Sequence, residues 1–393
     1  MAEFESKVVR NVGSGEVQRV RPQRRLNQLP DDIAHDPQLA AAIATLPRNY
    51  NFEIHKTVWK VRQAAEHGPI TVALQMPEGL LMFACLISDI ILQFTGCTTV
   101  IMADVTYGAC CVDDFTAEKL GARFLVHYGH SCLVPINVTK IPTLYVFVEI
   151  QFEVTHLCET IRRNFKADDK LILLGTIQFT NMAYQVFEIL KSEFPRLSIS
   201  QAKPLSPGET LGCTSPVLDK DTSALIFVAD GRFHLESVLI QNPWIKAFRY
   251  DPYSKQMTSE SYDIDAMRAA RWRAIEEARG CKVFGLILGT LGRQGSTGIF
   301  EHLKGELQLQ GKTVVPFLMA EVNLTKLRSI PSVEAWVQVA CPRLSVDWSG
   351  GFERPLLTPF ELEVVLGSAE WGETYPMDYY RADGGSWTNP AHR

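Results

Sequence analysis

Three cysteines stand where the chain leaves an apolar run, the kind of joint at which parallel α/β proteins gather reactive groups. Cys110 lies in Tyr107-Gly-Ala-Cys-Cys-Val-Asp-Asp114, Cys213 in Glu209-Thr-Leu-Gly-Cys-Thr-Ser-Pro216, and Cys341 in Val339-Ala-Cys-Pro-Arg343. Brought together, three thiolates hold three corners of a cubane iron–sulfur cluster and leave the fourth iron open to a reacting ligand. Closing loops of such length from a random chain costs on the order of 4 kcal/mol each, so folded modules must pre-form the site. No C-x-x-C pair is present, and buried cysteines at such joints also serve as plain packing residues.

A second group, His127-Tyr-Gly-His-Ser-Cys132, offers His127, His130 and Cys132 as zinc ligands beside Cys110 and Cys111. Alternatively its imidazoles bond backbone carbonyls, or His130 and Ser131 point into a substrate cleft. Gly289-Thr-Leu-Gly-Arg-Gln-Gly-Ser-Thr-Gly298 follows an apolar strand and opens a helix. Its free N–H groups could hold a phosphate or carboxylate, with Arg293 favouring an anion; a tight turn is the plainer reading. Gly311-Lys312-Thr313 imitates a nucleotide-binding loop, but Glu306 stands where the first glycine belongs. Pro77-Glu78-Gly79, Gly175-Thr-Ile-Gln178 and Asp230-Gly-Arg-Phe-His234 set polar groups at three further strand ends, where each also suits a helix cap.

The elements that must position these groups alternate. β-branched runs over 70–74, 98–103 and 123–127 enclose helical patterns over 78–94 and 112–120. The rhythm restarts with strands over 144–148, 171–174, 197–200 and 224–228, and again with strands over 283–288, 314–317 and 335–339, each set separated by helices. The expected fold is α/β: three related modules with parallel sheets flanked by helices, arranged around a pseudo-threefold axis. The expected division is an N-terminal extension over 1–48, partly disordered; modules over 49–142 (Cys110), 143–262 (Cys213) and 263–367 (Cys341); and a tail over 368–393, too poor in aliphatic residues to pack alone.

Composition narrows the function. A net charge of −5, with 46% hydrophobic and 21% charged residues, excludes wholesale disorder and supplies no field for bulk nucleic acid or anionic membrane. The basic run over 268–279 with Trp272 reads as a solvated helix face. Residues 80–92 are apolar but broken by Ser88 and Asp89, too short for a bilayer and suited to a buried helix. The basic stretch over 1–28 is followed by no apolar run of the secretory type. Nine scattered cysteines fit reduced thiols in the cytoplasm better than a disulfide framework.

With Tyr107-Gly-Ala-Cys-Cys-Val-Asp-Asp-Phe115, His127-Tyr-Gly-His-Ser-Cys132, the Cys213 loop and Val339-Ala-Cys-Pro-Arg343 in this order, the chain resembles the eukaryotic diphthamide synthesis enzymes from about Asn49 to Gly367. The likeness is to the catalytic subunit of 2-(3-amino-3-carboxypropyl)histidine synthase, a transferase. It implies a 4Fe-4S cluster on Cys110, Cys213 and Cys341. Cys110 matches the ligand, and not Cys111, because versions with one cysteine read Tyr-Gly-Ala-Cys.

The resemblance further implies cleavage of S-adenosylmethionine between sulfur and Cγ. The resulting 3-amino-3-carboxypropyl radical adds to a histidine of translation elongation factor 2, the first step of diphthamide biosynthesis. The C-x-x-x-C-x-x-C loop of ordinary radical enzymes of this cofactor is missing. Gly292, Arg293, Gly295, Ser296, Gln178 and Glu78 are then candidates for binding S-adenosylmethionine, and His130, Ser131 and Arg343 for the substrate cleft. Implied partners are diphthamide biosynthesis protein 2 as heterodimer, a small iron-binding electron donor and the elongation factor, with no direct nucleic acid and no membrane. The partner subunit lacks one of the three cysteines, whereas this chain has all three. Two rival classes remain: a non-catalytic subunit stapled by a cluster or zinc, and a nucleotide-binding enzyme using the 289–298 loop.

Overall fold

The computed structural model describes residues 29–390 apart from Val105, so most of the basic N-terminal stretch lies outside the described residues. Three parallel sheets follow one another along the chain. The first holds Thr71–Gln75, Thr98–Met102, Phe124–Tyr128 and Thr143–Val146. In the second are Leu171–Gly175, Ser198–Ile199, Ala224–Val228 and Ala247–Asp251, with Gln256–Glu260 added antiparallel at one edge. Val283–Gly289, Thr313–Met319, Ala335–Val339 and Leu356–Leu357 form the third.

Each sheet has the same spatial order: second strand, first, third, fourth, all parallel. Central strands such as Phe124–Tyr128, Leu171–Gly175 and Ala335–Val339 are buried at every residue, because helices cover both faces. The order reverses between the first and third strands, so the loops that follow them diverge and leave a crevice in each sheet.

Two expectations need correction. The strand Thr143–Val146, which the sequence rhythm puts at the head of the second module, pairs with Phe124–Tyr128 and closes the first sheet. Alternating apolar residues specify a strand but not its neighbour. The next short strand, Glu149–Ile150, pairs antiparallel with Tyr50–Asn51, so the first module extends past residue 142. The second correction is the tail. Tyr375, Met377, Tyr379 and Tyr380 are 2%, 1%, 4% and 4% exposed and belong to the same core as the third sheet. Burying such side chains is worth about 2 kcal/mol each, and they reach this core only because other modules supply it.

The apolar stretch after the first strand is a 3₁₀ turn, Glu78–Phe83, running into the helix Ala84–Thr95, which Gly96 ends at φ +68°. Residues Glu78–Thr95 are long and apolar enough by composition to cross a membrane, with mean hydropathy 1.6. Here one face, Ala84, Ile87, Ile90, Ile91 and Phe94, packs into the core of the first module. The helices Phe233–Gln241, Arg343–Trp348 and Pro359–Leu366 were not expected from the sequence pattern. In the third module the fully buried Arg271 is bonded through Nε at 2.6 Å and Nη2 at 2.5 Å to the fully buried Glu361, which also completes the capping box of Pro359–Leu366.

Candidate functional site

Cys110 sits in the turn Ala109–Cys111, between the second and third strands of the first sheet, and Cys213 lies between the same two strands of the second. Cys341 instead follows the third strand of its sheet, so the third module contributes from a different joint. The three loops meet at one core: Cys213 lies in it, Cys110 packs against it, and Arg343, two residues after Cys341, donates to the carbonyl of Gly212. The Cys111 bond, burial and then the neighbouring thiols raise Cys110. Burial, then Cys341, pushes Cys213 well above the ordinary thiol range. Cys341 is pushed up to about 11, burial again leading, with the backbone N–H and the cation of Arg343 opposing. Within the adjacent pair, Cys111 is held down to about 7 because it accepts from the Cys110 thiol and from the N–H groups of Gly108 and Tyr107. Cys110, the donor to Cys111, is pushed up.

Thiols that raise one another in this way are poor free thiolates and good ligands, because a bound cationic centre cancels their mutual repulsion. Among the described residues no three His, Cys, Asp or Glu side chains close on a point that a single ion would fill. The zinc alternative draws no support here: the Nδ1 of His127 is bonded to Gln75 Oε1 at 3.0 Å, and Cys132 is exposed.

The 289–298 loop builds the junction with the first module. Gly292 has φ +54°, and a Cβ there would lie 2.5 Å from the carbonyl carbon of Cys111. The Arg293 N–H donates to Cys110 O at 2.8 Å, and Gln294 Nε2 donates to Cys111 Sγ at 3.5 Å. A Cβ on Gly295 would collide with Gly289 O, and Ser296 caps the helix Thr297–Leu309 through the Ile299 N–H. The glycines therefore serve close backbone approach, the plainer of the two sequence readings.

Arg293, expected at a substrate carboxylate, is engaged by one of the chain's own. Its Nε and Nη2 donate to Asp114 at 2.8 and 2.5 Å, and the guanidinium lies 4.0 Å over Phe115. Burial would raise Asp114, but the bonds from Arg293 and the Lys140 N–H hold it below the usual carboxylate range. Gly292, Arg293, Gly295 and Ser296 all line one cleft of about 710 Å³, shared with Phe115, Val134 and Val138 of the first module and with Tyr380, Asn389 and Pro390 of the tail.

Arg343, also expected in a substrate cleft, is 3% exposed and fully occupied. Nη1 donates to Gly212 O at 3.2 Å and Phe233 O at 2.8 Å, Nη2 to Glu236 at 2.6 Å, and Nε to both oxygens of Asp347 at 2.9 Å. It clamps the Cys341 loop onto the Cys213 loop, and no donor is spare for a ligand except one on Nη2.

Gln178 ties the second module to the first, donating to Gly129 O at 2.6 Å. Near this junction His130 Nδ1, Ser131 Oγ, Thr176 Oγ1, Glu209 Oε1 and Thr210 Oγ1 are buried without a protein partner. His130 and His234 are both held down to about 4, chiefly by burial, with His234 acting on His130 and Arg343 on His234. Glu78 is exposed at the head of its turn. Sequence reasoning missed Tyr379, Tyr380, Gln294 and Asp114. The one available signal was the aromatic density of Tyr375-Pro-Met-Asp-Tyr-Tyr, unusual for a segment meant to stay in solvent.

Residues 76–376 match the family model described as "Putative diphthamide synthesis protein". The chain belongs to the diphthamide synthesis family. Within that family it is 54% identical over 368 residues to 2-(3-amino-3-carboxypropyl)histidine synthase subunit 1 of Homo sapiens, covering 93% of this chain and 83% of that protein. The Gallus gallus protein of the same name is 53% identical over 367 residues, covering 93% and 89%. Among solved structures, Dph2 from Pyrococcus horikoshii with a 4Fe-4S cluster superposes with a TM-score of 0.69 and 27% identity, over 86% of this chain and 95% of that one.

Proposed function

We propose that this chain is the catalytic subunit of 2-(3-amino-3-carboxypropyl)histidine synthase. It would transfer the 3-amino-3-carboxypropyl group of S-adenosylmethionine to a histidine of translation elongation factor 2 in the first step of diphthamide biosynthesis. What supports this reading is that the loops bearing Cys110, Cys213 and Cys341, one from each sheet, meet at one core in a chain so similar to the named subunits. The donor set fits a 4Fe-4S cluster: three mutually repelling thiols beside the Arg343 cation, with the cluster-bearing Dph2 as structural relative. Bound there, such a cluster would supply one electron to the sulfonium.

The chain's own residues do the rest. Cys110, Cys213 and Cys341 hold, and Arg343 offsets the negative charge that ligation brings to the Cys213 and Cys341 loops. The cleft lined by Gly292, Arg293, Gly295 and Ser296 takes S-adenosylmethionine, with Arg293 braced by Asp114 as a wall rather than a free anchor. Which carbon–sulfur bond breaks depends on which carbon the walls of that cleft direct inward. Three modules around a pseudo-threefold axis, the first reaching past residue 142, hold this arrangement. The setting is the cytoplasm, where nine unpaired thiols persist. The partners are diphthamide biosynthesis protein 2, a small iron-binding electron donor and the elongation factor.

The test is anaerobic purification followed by dithionite reduction with S-adenosylmethionine. About four iron and four sulfide per chain, and methylthioadenosine as product, are expected. 5′-Deoxyadenosine in its place would refute the bond assignment. Bound iron without cleavage would make the chain a stapled, non-catalytic subunit.

A further inference from the structure

Residues 375–390 begin where the family match ends, and they are built into the cysteine site. Ser215 N donates to Met377 O at 2.9 Å, Thr214 and Asp378 form an antiparallel bridge, and Tyr379 N donates to Cys213 O at 3.2 Å. The segment therefore runs as an added strand along the Cys213 loop. Tyr380 N donates to Thr214 Oγ1 at 3.1 Å, and Tyr379 OH reaches across to Gln294 O of the 289–298 loop at 3.3 Å. One pair of adjacent tyrosines thus joins the loop beside Cys110 to the loop that carries Cys213.

The segment then turns back. Trp387 packs on Phe360 at 5.1 Å and donates to Asp378 Oδ1 at 3.0 Å, while Asn389 N closes onto Tyr379 O at 2.6 Å. This return leg brings Asn389 and Pro390 to the lining of the cleft, alongside Tyr380. The two tyrosine rings meet edge to face at 4.9 Å, and both are buried in the core that contains Cys213 and borders Cys110. Tyr380 is buried in the core against which Cys110 packs and also lines the cleft, which sets its phenol beside the Cys110 loop.

We propose that residues 375–390 form a strap that completes the cluster site, and that Tyr380 is a positioning residue whose hydroxyl donates to the Cys110 sulfur. The proposal rests on the 4Fe-4S reading above. A donor to a ligating sulfur favours the reduced, more negative state of a cluster and so raises its potential.

The experiment uses the full chain loaded with iron and sulfide under anaerobic conditions, comparing wild type, Tyr380→Phe and Tyr379→Phe by redox titration and electron paramagnetic resonance. Tyr380→Phe should keep its iron, change the signal of the reduced protein, and show a several-fold smaller reduced fraction at a fixed solution potential. Tyr379→Phe, whose hydroxyl meets a carbonyl, should leave both close to wild type. An unchanged Tyr380→Phe, or an equal shift in both variants, overturns the assignment of Tyr380. Trp387→Ala tests the strap without altering a residue next to sulfur: an iron chelator should bleach its cluster several-fold faster, and an unchanged rate overturns the strap. A wild-type chain that takes up no iron would instead overturn the underlying cluster reading.

Discussion

The third module meets its two neighbours in opposite ways. Against the second it presents Arg343, buried among Gly212, Phe233, Glu236 and Asp347, so that the Cys341 and Cys213 loops share a single cation. Against the first it presents backbone: Gly292 lies on the Cys111 peptide, and the one ion pair among the described residues, Arg293 with Asp114, faces a cleft. The first junction is closed and electrostatic, whereas the second is steric and open on one side. Two of the proposed ligands on a rigid junction, and the third on the junction that carries the cleft, suit the proposed site, which must keep a metal centre while admitting substrates.

Arg343→Met should break that contrast most strongly. It leaves Asp347 without its cation and Glu236 with Arg232 alone, at a cost of about 2–3 kcal/mol, and iron retention should fall with thermal stability. Denaturant unfolding of the metal-free chain measures the first, and iron analysis the second. Gly292→Ala comes next, because it combines a left-handed backbone with a collision against the Cys111 backbone that no side-chain rotation relieves. A loss of at least about 2 kcal/mol is expected, with the Cys110 loop displaced and the Cys213 side intact. Protection of the 110–115 and 211–215 amides from hydrogen exchange separates the two.

Arg293→Ala should cost less, about 1–3 kcal/mol, since its partner carboxylate can take up a proton or water from the cleft. The product ratio between methylthioadenosine and 5′-deoxyadenosine should move before iron is lost; an unchanged ratio and unchanged cosubstrate affinity would remove the residue from the cleft's function.

The effect on pH dependence is confined to mildly acidic solution. Neutral His130 and His234 have folded values near 4, below the ordinary imidazole range, so the unfolded chain binds more protons between the two. Stability is therefore fully present above about pH 6.5 and is lost as pH falls toward 4. Thermal midpoints of His234→Gln should show a flatter profile across that window than wild type.

Much of this molecule was legible in the sequence, for identifiable reasons. Cys110, Cys213 and Cys341 were visible because each follows a β-branched run, and the strand over 335–339 was placed to the residue because turn formers bound it on both sides. Partner choice was not legible. Thr143–Val146 reads as a strand in either sheet, and only three-dimensional packing decides for the first. Arg293 and Arg343 look alike as cations beside glycine or cysteine, yet their acceptors, Asp114 and the pair Glu236 and Asp347, are set by tertiary contact. The tail was misjudged because irregular chain that borrows its core from other modules carries no period of its own.

The strap also gives the site a place in time. Its parts enter the growing polypeptide in the order Cys110, Cys213, Cys341, Tyr380, and a domain folds as its residues leave the ribosome. The first two sheets can form, each with its thiol, long before the third exists. Until the chain has passed Tyr380 and Trp387, the Cys213 loop lacks the strand that lines it and Cys110 lacks its cover. On the proposed reading, metal arriving earlier would meet loose thiols, so cluster insertion follows the folding of the strap, as a step in the maturation of the protein.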